Sequence, residues 1–293
     1  MKENKHLKHI LVLNFAVFCI STSGVLGRYI ALPPEQTIFF RAVLAVVFIY
    51  LFCKYKGYSL KIQAKQDLKI ILLCGFFFGV HWVTYFYALK LSSVAIGMLS
   101  IYTYPVITSF LEPLILKSPF QKFHLALGAL VLIGVYFLVP ELNFDNQHFI
   151  AVLVGITSAF FYALRNILMK PKVAIYNGSV LMLYQLFVIV TLMSPLLFFA
   201  DFPQVKSQLL PIAFLALITT TVGHTLLLMS FKHFSATTAS IMSSVQPIYG
   251  ILMGMLFLNE FPAIHTLIGG ALILTAVVIE SIRTVKTSKK VTT

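Results

Sequence analysis

The stretch YTYPVITSFLEPL, Tyr102–Leu114, decides the fold. It places a glutamate, Glu112, next to Pro113 and seven residues after Pro105, inside an apolar run from about Val94 to Leu116. An ionised side chain at the centre of a membrane-spanning helix costs about 2.5–3.5 kcal/mol on insertion scales. A charge there needs a reason, and its surroundings say that the solvent is a bilayer. Of 293 residues, 59% are apolar and 11% charged, with a mean hydropathy of +0.93. A water-soluble domain of this length carries about a quarter charged residues.

A spanning helix needs about 20 mostly apolar residues. Windows of that size fall near 10–30, 36–53, 68–89, 94–116, 122–140, 149–169, 178–200, 208–230, 235–258 and 263–282. The runs are continuous and lack the two-residue alternation of a transmembrane barrel, so they predict helices. The first run is too long for a signal-peptide core and is expected to be an uncleaved span. Ten spans place both termini on one side. The loops on that side hold seventeen basic residues, from Lys2, Lys5 and Lys8 through Lys54, Lys117 and Lys170 to Arg283 and Lys290, and those on the other side hold Lys90 and Lys206. The imbalance predicts cytoplasmic termini in a cytoplasmic (inner) membrane. It also accounts for the net charge of +13 without a nucleic-acid partner, because no basic stripe with interleaved aromatics is present. Cys19, Cys53 and Cys74 have no CxxC spacing and read as buried thiols, with no disulfide framework or metal site.

A gapless shift of 142 residues carries Lys90 onto Lys232, Ser93 onto Ser235, Pro105 onto Pro247 and Gly128-Ala129-Leu130 onto Gly270-Ala271-Leu272. Each unit holds five spans, an odd number, so the second enters the membrane upside down relative to the first. The expectation is an all-α integral membrane protein, ten transmembrane helices forming two inverted five-helix repeats, 10–140 and 149–283. Inverted repeats place a substrate site near the midplane between the halves.

Two such units, each with a turn like Ala88-Leu89-Lys90 or Ser230-Phe231-Lys232 followed by small residues and a mid-helix proline, resemble the EamA branch of the drug/metabolite transporter superfamily. The second unit also has that family's proline followed thirteen residues later by glutamate, Pro247 and Glu260, whereas the first has Ser118 at the matching place. Arg41, in FFRAVLA, stands where the family often has an arginine. The resemblance covers about residues 10–283. It implies a carrier of small organic solutes and describes the scaffold more than the cargo.

Charged or titratable side chains inside the spans are few. Tyr102, Pro105, Ser109 and Glu112 fall on one helical face, and the matching face of the ninth span carries Ser244, Pro247, Ile251 and Gly254. This asymmetry suggests a stripe lining a cavity. Glu112 lies about five residues, roughly 7 Å, from the cytoplasmic edge, at a depth similar to Arg165 on the sixth span. It is expected to be a proton-coupling or substrate-binding acid, the buried partner of Arg165, or a side chain snorkelling to the headgroups. His81, Trp82 and Tyr85 form an aromatic pocket or an ordinary packing face, and a cation or planar solute would suit such walls. Tyr162 and Arg165, with Asn166, could supply donors to a carboxylate. His224 reads as a packing histidine rather than a ligand contact, Arg28 and Arg41 as snorkelling or pairing with Glu35 in preference to capturing an anion, and Glu280 with Arg283 as a local ion pair.

The candidate substrate-binding set is therefore His81, Trp82, Tyr85, Tyr102, Ser109, Glu112, Tyr162, Arg165 and Ser244. No ATP-binding loop or hydrolase motif is present, and no cofactor is expected. The sequence thus predicts a secondary active transporter, an exporter or exchanger, moving a small organic metabolite or drug by alternating access. One alternative is an intramembrane enzyme using His81 and Glu112, and another is a non-transporting scaffold. The topology is checked by single-cysteine labelling in a cysteine-free background. An impermeant reagent added to intact cells is expected to label a cysteine at Asn143 and to leave one at Gln63 untouched. The reverse pattern would invert the orientation.

Overall fold

The computed structural model describes residues 2–117, 120, 122–138, 143–234, 239 and 242–291. Within them ten apolar helices run in chain order: α1 (Lys2–Tyr29), α2 (Pro34–Tyr55), α3 (Lys65–Leu91), α4 (Val94–Leu116) and α5 (Phe123–Leu138). The second five are α6 (Gln147–Met169), α7 (Gly178–Phe199), α8 (Leu209–Ser230), α9 (Ser243–Leu258) and α10 (Ile264–Val291). By length and composition, seven of the ten can cross a membrane, while α5, α9 and the apolar part of α10 are shorter. A 22-residue helix such as α2 reaches about 33 Å, enough for a hydrocarbon core of about 30 Å. The outer surface matches that solvent, with Leu132, Leu256 and Phe198 turned outward. Ser118, Glu141, Ser235 and the side chains of Glu280 and Arg283 lie outside the described residues.

Helix α4 is broken, and α9 has an irregular turn at the matching place. In α4 the helix ends at Ile101, turns through Tyr102 and Thr103, and resumes as Tyr104–Leu116. In α9 a 3₁₀ turn, Ser243–Val245, precedes Gln246–Leu258. Pro105 and Pro247 each occupy the second position of the resumed helix, where a missing N–H leaves no bond unmade. Both 13-residue pieces end on a left-handed residue, Lys117 at φ 55° and Asn259 at φ 54°. The 142-residue shift carries each piece onto the other from its first residue to its cap.

Helix contacts obey the same exchange. Helix α3 packs on α6 as α8 packs on α1, α4 on α6 as α9 on α1, and α3 on α7 as α8 on α2, while α2 pairs with α7 and α5 with α10. Exchanging the two sets of five helices returns these principal pairs, as a pseudo-twofold axis through the bundle requires.

Between α5 and α10 backbone meets backbone. A Cβ on Gly269 would lie 2.5 Å from the Gly134 carbonyl oxygen, and one on Gly134 would lie 2.9 Å from the Gly269 carbonyl oxygen. Small residues let spanning helices approach this closely, and no rotamer change can relieve a clash with a carbonyl. Gly269→Val is therefore expected to cost about 1–3 kcal/mol and to lower the unfolding midpoint in detergent. Leu256→Val on the outer surface serves as the control. Equal midpoints for the two variants would contradict this packing.

Candidate functional site

Phe78, His81, Trp82 and Tyr85 share one face of α3 at helical spacing. The last three border a cavity between the two halves, together with Ser23 of α1, Arg41 of α2, Tyr102 and Tyr104 at the break in α4, and partners from α6, α8 and α9. Three wall pairs are related by the 142-residue shift: Ile20 with Tyr162, Trp82 with His224, and Tyr104 with Gln246. The cavity therefore sits on the pseudo-twofold axis. Its water-accessible space is about 20 Å³, room for about one water molecule, so this conformation is closed around its centre.

Arg41 is fully buried. Its Nε donates to Thr220 Oγ1 at 2.6 Å, and the guanidinium lies 3.8 Å from the centre of the Trp82 ring. Nη1 and Nη2 meet no hydrogen-bond partner among the described residues, and neither do Trp82 Nε1 and His224 Nδ1. The described residues lining the cavity include no carboxylate. Thr220 and His224 belong to a π-helical stretch, Leu215–His224, where the Thr220 and Thr221 hydroxyls bond carbonyls five residues back. The wider turn sets Thr220 under Arg41 and His224 beside Phe78, whose ring it meets edge-on at 5.1 Å.

Hydrogen bonding fixes the proton on His81. The Ser158 hydroxyl donates to the His81 carbonyl at 2.8 Å, so at 2.8 Å from His81 Nδ1 it can only accept. Nδ1 therefore carries the hydrogen, which leaves Nε2 as an acceptor. The ring stacks on Tyr162 at 4.3 Å. The hydroxyl of Tyr102 lies 2.5 Å from the Ser243 carbonyl and 2.8 Å from Gln246 Oε1, joining one broken helix to the other.

Of the residues expected from sequence, His81, Trp82, Tyr85, Tyr102 and Tyr162 border this cavity. Ser109, Glu112, Arg165 and Ser244 are not among its walls. The expected stripe from Tyr102 to Glu112 is divided because the helix breaks before Pro105, and the Ser109 hydroxyl bonds within its own turn to Val106. Arg165 lies one aromatic layer away, 4.3 Å from the Phe78 ring centre on the face of that ring. Its donors go to Gln185 at 2.7 Å, Asn166 at 2.9 Å and the Met182 sulfur at 3.7 Å. Glu112 is part-exposed near the far end of α4, where its charge acts on Lys170. His81 and Glu112 thus do not share this cavity as an acid–base pair. Arg28 pairs with Glu260, whereas Glu35 accepts from the Tyr87 hydroxyl. Arg41 neither snorkels nor meets Glu35. Tyr104, Gln246 and Thr220 are cavity-side residues that the sequence reading passed over.

Both ends of the bundle are tied. At the end where α1 finishes, Glu260 accepts from Arg28 Nε at 2.8 Å and from the Val94 N–H at 2.8 Å, at the start of α4. Lys90 caps α1 through the carbonyls of Arg28 at 3.0 Å and Ile30 at 2.5 Å, and Arg28 Nη1 donates to the Lys90 carbonyl at 3.0 Å. At the opposite end Lys170, which the shift places opposite Arg28, donates to the carbonyls of Phe231 and Phe234 beyond α8. Burial holds the Lys170 ammonium below the usual lysine range, and the charge of Glu112 opposes that loss.

Known proteins share this organisation. Residues 7–139 and 149–282 each match the EamA-like transporter family. The pseudopaline exporter of Pseudomonas aeruginosa strain UCBPP-PA14 is 26% identical over 91% of this chain and 93% of its own length. An uncharacterized transporter of Helicobacter pylori strain J99 is 23% identical over 86% of this chain and 88% of its own. A solved crystal structure superposes with a TM-score of 0.71 at 17% identity, covering 94% of this chain and 96% of that one, which concerns the fold alone. With both halves matched, the chain belongs to the EamA-like transporter family, a family of multi-pass membrane transporters and not of enzymes.

Proposed function

We propose that the protein is a secondary active carrier that exports, or exchanges, a small organic metabolite across the cytoplasmic membrane. One observation carries this reading: the central cavity is walled by residue pairs equivalent in the two halves, and the halves are joined at both ends of the bundle, by Arg28 with Glu260 at one and by Asp67 with Lys172 and Tyr176 at the other. Rocking one five-helix unit, residues 10–140, against the other, residues 149–283, would release one set of ties while keeping the other, which gives alternating access. The named exporter among the relatives supports outward transport. The lysine-rich loops support cytoplasmic termini and a cytoplasmic Lys170 end. In this reading Glu112, part-exposed beside Lys170 at that end, is the residue that couples transport to protons.

The Glu260 tie is the accessible test. Arg28 and Glu260 have side chains 35% and 22% exposed, so the pair contributes about 0–1 kcal/mol to stability. Its role is positional, holding α1, α4 and α9 together in one state. Proteoliposomes loaded with ¹⁴C-labelled metabolite extract are expected to release a labelled compound chemically unchanged. Glu260→Gln is expected to slow that release by up to about fivefold, the equivalent of about 1 kcal/mol, with little change in unfolding midpoint. Wild-type release from both Glu260→Gln and Arg28→Gln, or recovery of an altered compound, would contradict the carrier reading.

A further inference from the structure

The central cavity has a charge problem that the fold does not solve. Arg41 is fully buried, its Nε is committed to Thr220, and the Nη1–Nη2 edge has no partner among the described residues. Removing a cation from water costs several kcal/mol unless an opposite charge and hydrogen bonds replace the lost hydration. Here the compensation is partial, from the Trp82 ring 3.8 Å away. The remaining unpartnered nitrogens are also informative. Trp82 Nε1 can only donate, and His224 Nδ1 and the Tyr85 hydroxyl can donate or accept, so together with Arg41 the wall can present several donors to one acceptor. Arg165 adds a second positive charge behind Phe78, and its partners, Gln185, Asn166 and Met182, are neutral.

We propose that this site binds the carboxylate of an organic acid, with Arg41 as its anchor. The inference rests on the carrier reading and names the class of its cargo. A carboxylate matches the open edge of a guanidinium with two parallel N–H···O bonds. Thr220 on Nε and Trp82 against the face hold that edge in one orientation, so little order is lost on binding. Tyr104, Tyr162 and His81 supply flat walls for the rest of the molecule, and His81 Nε2 offers an acceptor for an N–H or O–H group of the ligand. One open guanidinium edge suits one carboxylate. A phosphate dianion would bring a second charge that Arg165, already bonded and screened by Phe78, does not reach. Cationic solutes are disfavoured because Arg41 lines the cavity, Arg165 lies behind Phe78 and no described lining residue is a carboxylate.

The sole tryptophan lies under the anchoring group, so its fluorescence reports the site directly. Purified protein in nanodiscs is titrated at constant ionic strength with phenylacetate, phenylacetamide, phenethylammonium and phenyl phosphate. Phenylacetate is expected to change Trp82 emission saturably, with the other three at least tenfold weaker. Arg41→Lys is expected to weaken phenylacetate at least tenfold, and Arg41→Gln to abolish its effect. Failure of phenylacetate to act saturably on the wild-type protein overturns the proposal whether or not the variants fold, as does equal binding of phenylacetamide. Tighter binding of phenyl phosphate replaces carboxylate by phosphate and also overturns it. Release of a neutral or cationic compound in the proteoliposome assay would remove the carboxylate inference and keep the carrier. Carboxylate binding without any flux would do the reverse.

Discussion

Hydrocarbon offers a broken backbone nothing to bond to. Helix α4 nevertheless breaks near the middle of the bundle and α9 opens on a 3₁₀ turn at the matching place, and this constraint organises the rest of the structure. Their loosened turns have to be satisfied by protein, and the Tyr102 hydroxyl reaching the Ser243 carbonyl and Gln246 does so across the two halves. The breaks must therefore face each other in the interior. Where they meet, helix packing cannot be continuous, and the residual space is the cavity bordered by Arg41, Trp82 and His224. Pro105 and Pro247 place the breaks, and the left-handed caps at Lys117 and Asn259 end both pieces after the same number of residues.

The two halves are alike in helix order, apart from the π-helical stretch of α8 where α3 is regular, and unlike in chemistry. Trp82 stands where the other half has His224, and Tyr104 where it has Gln246. In the proposed cycle, symmetry would supply two nearly equal packings and asymmetry the recognition surface. The end ties follow the same division. One end joins the halves through the Arg28–Glu260 ion pair, and the other through Asp67 with Lys172 and Tyr176, beside Lys170 and Glu112.

Much of this was legible in the sequence because the bilayer imposes simple rules. Hydropathy set the ten spans, and Pro105 and Pro247 announced both the repeat and the places where helices break. His81, Trp82 and Tyr85 were readable as one face because α3 is a regular helix there. Arg41 was misread, although its position seven residues inside α2, about 10 Å deep at 1.5 Å per residue, already put it beyond easy snorkelling. His224 and Thr220 could not be placed because the π-helical stretch of α8 changes which side chains face inward. The expected Tyr102–Glu112 stripe assumed one continuous helix across a proline that ends it. The partners of Arg28 and Arg165, Glu260 and Gln185, lie 232 and 20 residues away in sequence and meet them only through tertiary packing.

The proposal of a central site opening in turn to each side is tested most directly at Ser23, which borders the cavity from α1. The background replaces Cys19, Cys53 and Cys74, all buried and free. A cysteine at Ser23 is treated with an impermeant thiol reagent in right-side-out and in inside-out vesicles. Alternating access predicts slow labelling from both faces, and a substrate that holds the protein in one state should raise the rate on one face while lowering it on the other. Labelling from a single face under every condition, or rates that rise and fall together on both faces, would contradict it.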